Sequence, residues 1–121
     1  MKNAASMTNA SIGFSFRELQ YIVAVAEELN FHRAAVRCCV SQSTLSIQIK
    51  KCEDYLGVTL FRRTHRSVAL TPEGVDVVAF ARVALEAALH IKQRTSQHAR
   101  VRLKLARTVL DLKDQSRVFL R

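Results

Sequence analysis

The sequence predicts a mainly α-helical fold made of three short helices, a two-stranded hairpin and a long final helix. Two observations indicate this order. A helix-capping residue precedes each run of helically spaced apolar residues, and two short extended segments flank a basic loop. The 121 residues leave room for one compact domain and an appendage rather than for two full domains.

The first predicted helix covers residues 16–29. Ser15 and Glu18 have the spacing of a capping box, in which each side chain accepts a hydrogen bond from the other residue's backbone N–H. The apolar residues behind them recur three and four positions apart and are Leu19, Ile22, Val23 and Ala26. Residues 1–13 precede these signals and are expected to form a disordered leader.

Two more helices are predicted close behind the first. Asn30 caps a short second helix that ends near Cys38, and Ser41 caps a third over residues 42–56. The third helix has one apolar stripe, formed by Leu45, Ile49, Cys52 and Leu56. At about 100° per residue, the opposite side holds Ser43, Ser46, Ile47, Lys50 and Asp54, with Thr44 at its margin.

Extended segments at residues 58–61 and 67–70 enclose the basic loop 62–66, which predicts a hairpin. Thr71 then caps a fourth helix, with Pro72 at its first position, over residues 72–95. Beyond it, apolar Val101, Leu103 and Leu105 alternate with basic residues, which is the period of a strand.

The fourth helix carries two adjacent apolar stripes, although packing on one small domain needs only one. The second stripe is therefore expected to contact another copy of the chain, giving a homodimer or a higher oligomer. The candidate dimer residues are Val77, Val78, Phe80, Ala81, Ala84, Leu85, Ala88 and Ile91. The open alternative is that both stripes pack within one chain.

The charge indicates an anionic partner. The net charge is +9, and the excess of basic residues begins only after the first predicted helix.

The three cysteines, Cys38, Cys39 and Cys52, have no zinc-site or disulfide spacing and fit a reducing cytoplasm. No uncharged apolar run approaches the ~18 residues that a membrane span needs. The four histidines and three glycines form no metal or phosphate motif, so neither catalysis nor a cofactor is expected.

Two helices, a tight turn, a third helix and a basic hairpin are the elements of a winged helix-turn-helix. The major groove of B-DNA is about 12 Å wide and admits one α-helix, so the third helix is the candidate for base recognition. Lys50 would reach phosphate or a base edge, and Arg33 and Arg37 are candidate phosphate clamps. The hairpin, or wing, offers Arg62, Arg63 and Arg66 to the DNA backbone or the minor groove.

Residues 31–50, FHRAAVRCCVSQSTLSIQIK, resemble the pattern of LysR-type transcriptional regulators, F-x-R-A-A, then V-S-Q, then L-S-x-Q-I. The resemblance extends over about residues 16–95 and includes Glu53, Leu56-Gly57, Leu60-Phe61, Arg63 and Leu70-Thr71-x-x-Gly74. It implies sequence-specific binding of double-stranded DNA and a linker helix that pairs antiparallel with its copy. The contacts that it implies fall on Arg33, Ser41, Gln42, Ser43, Thr44, Ser46, Gln48 and Arg63.

Three positions depart from the family pattern. Ser43 stands where proline is frequent, Ile47 where arginine or lysine is frequent, and Cys52 where leucine is usual. Residues 96–121 are expected to be either a remnant of the start of the family's effector-binding domain, which residues 100–105 resemble, or a disordered tail, so no small-molecule effector is expected for this chain. The alternative to a regulator is a truncated, dominant-negative or interaction-only partner that dimerises with a full-length relative.

Overall fold

The computed structural model describes residues 12–119 of the chain. The elements are α1 (Phe16–Glu28), α2 (Phe31–Arg37), α3 (Gln42–Leu56), β1 (Phe61–Arg63), β2 (Val68–Leu70) and α4 (Pro72–Phe119). The chain divides into two compact units between Leu85 and Glu86. The predicted mainly α-helical winged helix-turn-helix followed by a long helix is therefore confirmed.

The first helix begins with the predicted capping box. The Ser15 N–H donates to Glu18 Oε2 at 2.5 Å, and the Glu18 N–H donates to Ser15 Oγ at 3.3 Å. The helix ends where Leu29 takes a left-handed conformation, with φ of 48°. Asn30 follows at once and caps α2, its Oδ1 accepting from the Arg33 N–H at 2.8 Å. This sharp reversal sets α2 against α1.

The core of the first unit lies between α1, α2, α3, β1 and the start of α4. Its least exposed side chains, each at most 1% exposed, include Ile22, Val25, Leu45, Ile49 and Leu60. The predicted stripe of α3 is buried at Leu45, Ile49 and Cys52 and half-buried at Leu56. One side of α3 is thereby fixed to the domain, which leaves the other side to solvent.

The wing, residues 61–70, is an antiparallel pair in which Phe61 lies opposite Leu70 and Arg63 opposite Val68. Buried Thr71 joins it to α4, since its hydroxyl donates to the Thr59 carbonyl at 2.5 Å and accepts from the Gly74 N–H at 2.9 Å. Gly74 has no room for a side chain, because an added Cβ would overlap the carbonyl oxygen of Leu60.

The predicted end of the fourth helix near Thr95 is wrong, and so is the predicted strand at residues 100–105, because α4 continues to Phe119. A strand needs a neighbour to pair with, and the described residues of this segment contain only helix. Arginine, lysine, leucine and alanine are all strong helix formers, so local preference decides the outcome. That residues 96–121 begin an effector domain stays a prediction.

The predicted leader, residues 1–13, falls largely outside the described residues. Its last residue does not fit a disordered leader, because Gly13 lies against the ring of Tyr55, and an added Cβ would overlap that ring. Phe14 also packs edge-on against Tyr55, with ring centroids 6.1 Å apart. The contacts that fix the start of the domain therefore begin before α1.

Candidate nucleic-acid interface

The side of α3 that faces away from the core forms the candidate DNA-contacting surface, here called the reading face. It comprises exposed Gln42, Ser43, Thr44, Ile47 and Lys50, with half-buried Ser46 and Gln48 at its edges. Leu45, on the opposite side, is 0% exposed. The structure thus brings together the predicted contact residues of the third helix on one accessible side.

Ser41 organises the N-terminal end of the reading face. Its Oγ accepts from the Thr44 N–H at 3.1 Å, donates to Thr44 Oγ1 at 2.8 Å and lies 3.2 Å from Ser43 Oγ. This is the geometry of a helix N-cap, which satisfies one of the orphan N–H groups of the first turn. Ser41 was predicted as a DNA contact, and within the chain its hydroxyl already serves as the cap.

The tip of the wing is a turn closed by two hydroxyl groups. The Thr64 N–H donates to the Ser67 carbonyl at 2.9 Å, and Thr64 Oγ1 accepts from the Ser67 N–H at 3.1 Å. The side chains of Arg62 and Arg66 are exposed beside this turn. Sequence reasoning gave Thr64 and Ser67 no role, although hydroxyl residues commonly close turns in this way.

Arg63 connects the wing to the reading face. Its guanidinium carbon lies 3.8 Å from the centroid of the Phe31 ring, and its Nη1 donates to Ser46 Oγ at 3.4 Å. Phe31 in turn packs edge-on against Phe61, with centroids 6.1 Å apart. A charged group stacked on an aromatic face at this distance is attracted by the ring quadrupole. The side chain of Arg63 is therefore held in place by Phe31 and Ser46, whereas those of Arg62 and Arg66 extend into solvent.

Glu53 makes a second connection between α3 and the wing. It is 8% exposed, and its Oε2 accepts hydrogen bonds from the backbone N–H of Leu60 at 2.7 Å and of Phe61 at 3.4 Å. A buried carboxylate is stable only where hydrogen bonds replace its water. The sequence shows Glu53 four residues after buried Ile49, which places it on the buried side of the helix, but that spacing does not reveal its partners.

The remaining candidate cations form exposed ion pairs within the chain. Lys50 Nζ lies 3.1 Å from Asp54, and Arg33 Nε lies 3.7 Å from Glu28. Such surface pairs contribute little to stability and exchange easily for a phosphate. Arg37 differs, because its Nη1 lies 2.6 Å from Glu27 and 3.7 Å from Glu28. Its predicted role as a phosphate clamp is therefore weakened.

The first unit uses part of the predicted dimer stripe for its own core. Val78 and Ala81 are buried, and Val77, Ala84 and Leu85 are half-buried. Phe80 is 75% exposed. In the second unit, Ala88 is half-buried and Ile91 is exposed. The prediction that Val78 and Ala81 line a dimer contact therefore needs correction, because a side chain in the core cannot also contact a second copy.

In the part of the chain that the structure describes, no three His, Cys, Asp or Glu residues lie together as possible metal ligands. Burial raises the pKa of the Cys52 thiol to about 11, so this side chain stays neutral and behaves as an apolar residue. Between residues 12 and 119, no helix is long and apolar enough to cross a membrane.

A capped helix with an exposed polar side, held on two preceding helices and flanked by a basic wing, defines a winged helix-turn-helix DNA-binding domain. Residues 16–75 match the family model described as "Bacterial regulatory helix-turn-helix protein, lysR family". The chain belongs to the LysR family.

The relatives agree with this assignment. The hydrogen peroxide-inducible genes activator of Pectobacterium carotovorum subsp. carotovorum is 48% identical over 83 residues, which are 69% of this chain and 28% of that protein. BenM_DBD in complex with catB site 1 DNA is 37% identical, with a TM-score of 0.68 over 71% of this chain and 97% of that chain. CbnR_DBD in its DNA complex is 40% identical, with a TM-score of 0.66 over 71% of this chain and 99% of that chain.

The match is to the DNA-binding end of these regulators. The chain spans 28% of the length of its Pectobacterium relative but nearly all of the two DNA-binding domains. The family assignment therefore describes the first unit and the start of α4.

Proposed function

We propose that this chain binds double-stranded DNA sequence-specifically as the DNA-binding part of a LysR-type transcription regulator acting in the cytoplasm. The observation that carries the proposal is the Arg63–Ser46 contact. Arg63 Nη1 of the wing lies 3.4 Å from Ser46 Oγ at the edge of the reading face, so that both elements present one continuous basic and polar surface. The DNA complexes of BenM_DBD and CbnR_DBD, which share this fold, support it.

In this proposal α3 enters the major groove and the wing contacts the flanking backbone or the minor groove. Gln42, Ser43, Thr44 and Gln48 supply side-chain donors and acceptors for base edges. The exposed cations, by contrast, contact phosphates and orient the domain on the duplex without recognising its sequence. These cations are Arg33, Lys50, Arg62 and Arg66. Ser41 acts through the helix cap, and Ser46 through its contact with Arg63.

We further propose that the chain acts as a homodimer through α4. Phe80 and Val83 support this, because they lie one turn apart on α4 and are 75% and 64% exposed, so that they form an apolar patch rather than a single exposed residue. The alternative role, a truncated partner that disables a full-length relative, needs only α4. The exposed reading face favours direct DNA binding, since a subunit that only blocks dimers has no use for it.

The salt dependence of duplex binding tests the proposal. Neutralising one phosphate at each of Arg33, Lys50, Arg62 and Arg66 predicts a slope of about −3.6 per domain in a plot of log affinity against log salt. Replacing Arg62 and Arg66 together by alanine is expected to bring the slope toward about −1.8 per domain, whereas Lys92→Ala in the second unit, which removes a cation outside the wing, should leave it unchanged. A slope near zero for the wild-type chain, or equal effects of the two changes, would contradict the proposal.

A further inference from the structure

The reading face contains one large apolar side chain among polar ones. Ile47 is 55% exposed. It lies two positions from both Leu45 and Ile49, which places it about 160° round the helix from each and therefore away from the core. Single exposed apolar residues are ordinary on protein surfaces, so exposure alone indicates nothing. Its position is informative, because Ile47 occupies the middle of the side of α3 that is proposed to enter the groove.

The chemistry of the major groove limits what isoleucine can recognise there. Isoleucine offers no hydrogen-bond donor or acceptor. The only apolar substituent that the bases present in the major groove is the C5-methyl of thymine. Against any other edge, isoleucine would strip water from a donor or acceptor without replacing the hydrogen bond.

The neighbours of Ile47 favour a close approach to the bases. Ser43 lies one turn before it, and Lys50 and Lys51 lie one turn after it, all exposed. The short hydroxyl side chain lets the N-terminal part of α3 approach the base edges. The Lys50 ammonium is 3.1 Å from Asp54, so its charge is directed along the helix toward the Asp54 carboxylate. Because the side chain of Ser43 is short and uncharged, it does not compete with Ile47 for that part of the groove.

We propose that Ile47 is a specificity-determining residue that recognises the methyl group of a thymine in the bound half-site. This inference rests on the proposed DNA binding, and it adds a requirement that the polar residues do not impose. One thymine in each half-site must lie opposite Ile47, and a cytosine there is disfavoured.

The test removes the methyl group and nothing else. The full chain is first used to select binding sites from a random duplex library. Each thymine of a selected half-site is then replaced singly by deoxyuridine, which pairs identically but lacks the methyl. Burying one methyl group corresponds to about fourfold in affinity, so one such position should weaken wild-type binding about fourfold.

Replacing thymine by deoxyuridine should not change the affinity of the Ile47→Ala variant, which has already lost the contact. The Ile47→Val variant should keep most of the discrimination between thymine and deoxyuridine. Val75→Ala, an exposed aliphatic residue on α4, is the matched control and should respond to deoxyuridine as the wild type does. Because Ile47 is exposed, these variants are expected to remain folded, which circular dichroism checks.

The outcomes separate this inference from the function on which it rests. If the wild-type chain selects no sequence, the proposed DNA recognition fails. If it selects sites without thymine, or if deoxyuridine weakens the wild type and Ile47→Ala equally at every position, DNA recognition stands and the role of Ile47 is overturned.

Discussion

The reading face and the wing are held in place by different forces. α3 is fixed by apolar burial along a whole side, where Leu45 and Ile49 are at most 1% exposed. The wing strands are only three residues each, and a lone hairpin of that size is not stable in water. Its position depends on the polar contacts of Glu53 and Arg63 as well as on Phe61. The recognition helix is therefore robust to single polar changes, and the wing is sensitive to them.

The largest expected effect follows from removing the carboxylate of Glu53. Glu53→Ala leaves the buried N–H groups of Leu60 and Phe61 without their acceptor and should lower the free energy of unfolding by about 2–4 kcal/mol. Glu53→Gln retains one acceptor oxygen and should cost about 1 kcal/mol. Urea denaturation measures both. Equal and small losses for the two variants would show that the wing does not depend on this carboxylate.

A smaller effect should separate the two neighbouring arginines of the wing. Lysine keeps the charge but not the flat guanidinium that stacks on Phe31, so Arg63→Lys should reduce DNA affinity about tenfold. Arg62→Lys at an exposed position should reduce it by about twofold or less. Titration of a labelled duplex at one salt concentration measures both. Similar losses would mean that the position of Arg63 has no importance for binding.

The smallest predicted effect concerns Cys52, where the sequence departs from the family's usual leucine. A partly open and almost wholly apolar pocket of about 190 Å³ adjoins it, lined also by Phe14, Leu19, Ile22, Leu56, Val77, Phe80 and Ala81. Cys52→Leu should fill part of this space and stabilise the domain by about 1 kcal/mol without changing DNA affinity. A lower melting temperature would indicate instead that the site is already well packed.

Sequence reasoning performed best where local chemistry decides the structure. The capping residues and the apolar stripe of α3 identified the first three helices, because both signals act within a few residues. The partners of Glu53 and the stacking of Arg63 on Phe31 could not be found this way, since they join residues that are distant in sequence. The strand predicted at residues 100–105 failed for a related reason: an alternating pattern does not show whether a pairing strand exists.

Photo-crosslinking is the most direct test of whether the exposed side of α3 enters a DNA groove. A photo-reactive amino acid is introduced at position 43 on the reading face or, as a control, at position 86 in the second unit. The full chain is then irradiated on a selected duplex. Efficient crosslinks to bases of the half-site are expected from position 43, and few are expected from position 86. Crosslinks from position 86 alone, with wild-type affinity in both variants, would contradict the entry of α3 into the groove.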